Sequence, residues 1–71
     1  PTIEIIGGTV DIYVSQTKPT SAPTGMTKID NGAGVVGTLG FNFVPAYLYV
    51  AQASGTTTSL VLSGIAATVA T

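Results

Sequence analysis

Thr9-Val10-Asp11-Ile12-Tyr13-Val14-Ser15 decides the fold class. Val10, Ile12 and Val14 fall on one side of an extended chain and Thr9, Asp11, Tyr13 and Ser15 on the other, the period of two that a half-buried strand requires. A helix would need apolar residues three or four apart. The same rhythm returns downstream in Ala46 to Ala51, where Leu48 and Val50 alternate with Tyr47 and Tyr49, and in Thr57 to Ser63, where Leu60 and Leu62 share a face.

Between these runs the sequence is punctuated by turn residues. Ile3 to Ile6 is a short apolar run that Gly7-Gly8 is expected to stop. Gln16 to Gly25 holds Pro19 and Pro23, and a proline offers no donor to a strand ladder, so this stretch reads as a surface loop. Met26 to Ile29 is a brief strand candidate, followed by a tight turn at Asp30-Asn31-Gly32. Val35 to Leu39 and Phe41 to Val44 read as strand or bent strand, interrupted by Gly34, Gly37 and Gly40. Ser54-Gly55 turns the chain, and Gly64 sets off a last strand, Ile65 to Val69. The expectation is an all-β domain spanning 1–71, a small antiparallel β-sandwich or barrel of six to seven short strands.

Composition limits what such a domain can do. A chain of 71 residues buries a thin core, and domains of this size usually lean on disulfides, a metal or other chains. There is no cysteine and no histidine, so thiolate and imidazole ligands are missing. Only Glu4, Asp11, Lys18, Lys28 and Asp30 are charged, for a net charge of −1. An average domain has about a quarter of its residues charged. Near-zero net charge and scarce charge favour self-association, so the chain is expected to share its apolar surface with other subunits. Two lysines and no arginine cannot neutralise a row of phosphates, which argues against nucleic acid as a partner. No window of about 20 apolar residues exists for a membrane helix, because Gly40, Asn42, Pro45, Gln52, Ser63 and Gly64 interrupt the richest stretches. Pro1 reads as the residue left after loss of an initiator methionine, although a processed precursor would look the same.

Chemistry finds little to work with. Gly32-Ala33-Gly34-Val35-Val36-Gly37 fits G-x-G-x-x-G, but the dinucleotide fingerprint needs a helix and a later acid, whereas β-type residues follow and no acid lies beyond Asp30. No nucleophile motif is present and three scattered carboxylates form no calcium loop. The expectation is a protein that is not an enzyme, with no cofactor and no metal. Phe41, Phe43, Tyr47 and Tyr49 share odd parity, so a strand running straight through Pro45 would align all four rings. Core packing, a subunit interface and a sugar platform are the competing readings of that row.

The order of elements also resembles a family. Val10-Asp11-Ile12-Tyr13-Val14-Ser15, a Pro-rich loop to Met26-Thr27-Lys28-Ile29, Tyr47-Leu48-Tyr49-Val50 and Ser59-Leu60-Val61-Leu62-Ser63-Gly64-Ile65-Ala66 are similar to the small β-sandwich virion proteins of tailed bacteriophages. The likeness lies in strand rhythm and turn placement. It implies a structural role as a capsid decoration or cement protein, made in the host cytoplasm and placed on the capsid surface. The implied partners are a major capsid protein and further copies of the chain, as a trimer or other small homo-oligomer. A tail, fibre or filament subunit and a carbohydrate-binding module are the alternatives. The residues expected to make contacts are Ile3, Ile5, Pro19, Pro23, Phe41, Phe43, Tyr47, Tyr49, Ile65 and Val69, with the two terminal segments able to add strands to a neighbour.

Overall fold

One strand organises the molecule. In the computed structural model, which describes residues 1–29 and 34–71, β1 (Thr2–Ser15) runs through Gly7-Gly8 without ending. The turn expected at Asp30-Asn31-Gly32 lies outside the described residues. Five further strands follow: β2 (Thr27–Lys28), β3 (Val35–Gly40), β4 (Tyr47–Ser54), β5 (Ser59–Ser63) and β6 (Thr68–Val69). No helix occurs among the described residues.

The register turns these six pieces into a simple plan. At Val10, β1 is paired with Val35 of β3 and with Gln52 of β4, so those two strands lie on opposite flanks. β2 joins the β3 flank, pairing Tyr13 with Lys28, and β5 joins the β4 flank, pairing Ile3 with Leu62. Each flank is therefore a single antiparallel lane broken once, and β1 is the continuous lane between them. β6 adds outside β4 in parallel, with Tyr47 opposite Thr68. The sheet is all-β as expected but mixed, not purely antiparallel, and its first strand is long.

Positive-φ glycines from the three lanes gather near one level. Gly7 (φ +84°) and Gly8 (φ +66°) of β1 lie beside Gly55 (φ +67°) of one flank and near Gly34 (φ +80°) of the other. A Cβ on Gly55 would stand 3.0 Å from the Gly8 Cα, and one on Gly34 would stand 2.5 Å from the Thr9 methyl. Only glycine takes these φ values cheaply and leaves room for so close an approach. The result is a crease across the sheet. It also acts as a bulge: inward residues are odd before it (Ile3, Ile5) and even after it (Val10, Ile12, Val14). Two glycines thus read as a stop in sequence, yet in the fold they let one strand bend and exchange faces.

Folding along the crease brings the inner surfaces of the two halves together. Ile3 and Ile5 from one half meet Val10, Ile12, Val14, Val35 and Leu48 in one cluster, with Leu60, Leu62, Val50, Ile29 and Leu39 packed around it. Ile3 and Ile12 have no exposed surface at all, which a lone open sheet could not achieve. Gln52 fastens the crease. Its Nε2 lies 3.0 Å from the Thr9 carbonyl, 2.9 Å from that of Ser54 and 3.0 Å from Thr57 Oγ1, while Oε1 accepts from the Thr57 amide. Thr57 Oγ1 in turn donates to the Gly7 carbonyl at 2.7 Å.

Candidate interaction surface

Among the described residues seven hydrophobic ones make the buried core, and several large apolar side chains lie outside it. Ile6, Val36, Phe43, Val44, Val61 and Val69 are between 40% and 65% exposed. They gather at three places.

The first is the outer face of the trio β3, β1 and β5. Glu4 stands there between Thr38 and Val61, and Ile6 and Val36 occupy the same outward face toward the crease. These residues break the alternation of their strands. Ile6 follows Ile5, Val36 follows Val35, and Val61 sits between Leu60 and Leu62, so each is an apolar residue where the pattern calls for a polar one. That adjacency is the signal by which the sequence could have disclosed them.

The second is an aromatic corner. The chain does not run straight from Phe41 to Tyr49: Pro45 turns inward and is fully buried, and Gln16 clamps the bend, donating from Nε2 to the Val44 carbonyl at 3.1 Å and accepting the Ala46 amide at 3.2 Å. The four rings therefore do not form one row. Phe41 and Phe43 stack with centroids 5.6 Å apart and planes 10° from parallel. Tyr49 instead meets Tyr13 edge to face at 5.9 Å, its opposite partner on β1. Phe41 is half-buried against the core, Phe43 borders an open hollow lined also by Ile29, Leu39 and Asn42, and Val44 next to it in the chain is exposed.

The third is a groove of about 450 Å³ where the two halves do not close. Leu48, Val50 and Val69 line one wall, and Leu60 and Leu62 of β5 the other. It is mainly apolar, with Gln52, Thr57, Thr58 and Ser59 also in its lining, and no charged side chain among the described residues lines it.

The remaining expected contact residues fare differently. Ile3 and Ile5 belong to the core, and Thr2 to Ile5 is flanked by β3 and β5 on both sides, so this segment has no free edge to offer a neighbour. Pro19 is half-buried and lines a small hollow with Tyr47 and Thr68. Pro23, also half-buried, follows a cis peptide bond in a loop tied to the C-terminal residue, the Ala22 amide donating to the Thr71 carbonyl at 3.1 Å. Ile65 packs on the core, whereas Val69 is exposed at the mouth of the groove. The described part of the glycine-rich motif, Gly34 to Gly37, leads into β3 and not into a helix.

Asp11 and Lys28 form an ion pair at 3.4 Å across β1 and β2, leaving Glu4 as the charged group on the outer face. What the surface presents is mostly hydroxyls, backbone and apolar side chains. No family model, no curated protein and no solved structure matches the chain.

Proposed function

We propose that this chain is a non-enzymatic structural subunit that acts by assembly, binding a capsid lattice as a decoration or cement protein in a small homo-oligomer. The observation that carries the reading is the exposure of six large apolar side chains on a domain with five charged ones. Burying apolar area stabilises by about 25 cal/mol per Å², so even a modest interface rivals the stability of so small a core. The likeness in strand rhythm to small phage virion proteins supports a capsid as the partner surface. Apolar contact through Phe43, Val44 and Val36 is the chemistry such a lattice would meet.

The test is co-sedimentation of the purified chain with capsids of the virus whose genome carries its gene. Saturable binding at a fixed number of sites per capsid is expected, and a chain left wholly in the supernatant refutes the capsid role. One feature favours a second reading, a carbohydrate-binding module: Asn42 lies beside the stacked Phe41 and Phe43 at an open hollow, the pairing of ring face and amide that sugars use. Retention on a glycan array by an isolated monomer would favour that reading over the first.

A further inference from the structure

We infer that β5 is a two-fold dimer contact, pairing antiparallel with β5 of a second copy of this chain. The inference deepens the assembly reading and rests on it. β5 pairs with β1 along one side only, and among the described residues no strand covers its other side. That leaves a row of backbone donors and acceptors along Ser59–Ser63 without a sheet partner.

Free edges are usually blunted by charge, proline, a bulge or brevity. Among the other edges, the outer side of β4 beyond Leu48 is also uncovered by the described residues and uncharged, but its sequence is not self-complementary, and the remaining edge strands have such devices. β3 is broken by Gly37 at φ +67°, β2 has two residues and carries Lys28, and β6 has two residues. β5 has none: it is five residues long, regular, uncharged and free of proline and glycine.

Its sequence identifies the occupant. Ser59-Leu60-Val61-Leu62-Ser63 reads the same in both directions. In an antiparallel pair centred on Val61, a two-fold axis sets Val61 against the partner's Val61, Leu60 against the partner's Leu62 and Ser59 against the partner's Ser63. Like therefore meets like at every position, and apolar and hydroxyl cross-strand pairs of this kind each favour the sheet. Such an interface is isologous, the symmetry that closes an assembly without growing a fibre. The faces match too. Leu60 and Leu62 line the open groove, so the partner's leucines extend that apolar layer toward Val69, which is 65% exposed at its mouth. A standard stable interface buries about 800 Å² per partner, and one five-residue strand with a groove mouth falls below that, so the dimer is expected to be of micromolar strength.

Two variants test the pairing. Val61→Cys places the chain's sole thiols on the axis, where opposite Cβ atoms of a strand pair stand about 4.5–5.5 Å apart, near the reach of a disulfide. Mild oxidation should give mostly covalent dimer, and Val36→Cys, equally apolar and more exposed but two strands away, should give little. Val61→Lys puts two ammonium groups face to face, while in the monomer it lies beside Glu4 and keeps the fold. Its dimer dissociation constant should rise about tenfold or more. Equal cross-linking at positions 61 and 36, or a Val61→Lys chain that dimerises like its parent, overturns the inference. If the parent still forms oligomers or binds capsids in that case, the assembly reading stands and only β5 is lost as its contact.

Discussion

Replacing Gly7 by alanine tests whether the glycine crease makes the fold. At φ +84° an L-residue carries a conformational cost of about 1–2 kcal/mol. The added Cβ would also stand 2.7 Å from the Thr56 carbonyl oxygen, a backbone atom that cannot rotate away. Relieving that clash shifts the flank against β1, at about 1–3 kcal/mol by analogy with overpacked cores. Reduced freedom of the unfolded chain offsets about 0.4–1 kcal/mol. The net loss is about 2–4 kcal/mol, against a total of about 4–10 kcal/mol for 71 residues. Gly37→Ala is the matched control, with φ +67° and nothing within 4 Å of its Cβ, so only the conformational part applies, about 0.5–1 kcal/mol. Urea denaturation at one fixed protein concentration reads both, since association would otherwise add to apparent stability. If Gly7→Ala costs no more than Gly37→Ala, the crease is not a point of obligatory close approach and the account of the fold fails.

Other substitutions probe the packing and the surface. Ile12→Ala removes a side chain with no exposed surface at the centre of the cluster and should cost about 2–5 kcal/mol in the same denaturation assay. Gln52→Ala unties the amide that joins Thr9, Ser54 and Thr57, and a loss of about 1–2 kcal/mol is expected, with faster hydrogen exchange at the Thr57 amide. Phe43→Ser should cost about 0.5–1.5 kcal/mol by removing the stack on Phe41, leaving the chain folded, yet weaken capsid binding measurably in co-sedimentation.

Local periodicity disclosed much of this fold. The inward sets Val10, Ile12, Val14 and Leu60, Leu62 follow from alternation alone, because within an uninterrupted strand the side-chain period admits one solution. Where the chain conformation changes hand, alternation is silent. Nothing local tells whether Gly7-Gly8 ends a strand or lets it bend, since both outcomes use the same permissive φ values, and the choice is made by the flanking lanes at Gly55 and Gly34. The parallel docking of β6 on β4 is likewise a non-local event, visible only once Thr68 reaches the Ala46 carbonyl. The four aromatic residues do not form one continuous row for a related reason: parity persists only through an extended chain, and the buried Pro45 ends it. The outward Ile6, Val36 and Val61 were legible in principle as breaks in alternation, but a run such as Leu60-Val61-Leu62 reads equally as a strand buried on both faces.

Sedimentation velocity of the unmodified chain through the micromolar range, alone and with capsids, bears most directly on the claim that it functions by sharing apolar surface. A sedimentation coefficient that falls on dilution as oligomers dissociate, together with depletion of the chain by capsids, is the predicted result. A single monomeric species at every concentration, unchanged by capsids, would contradict it.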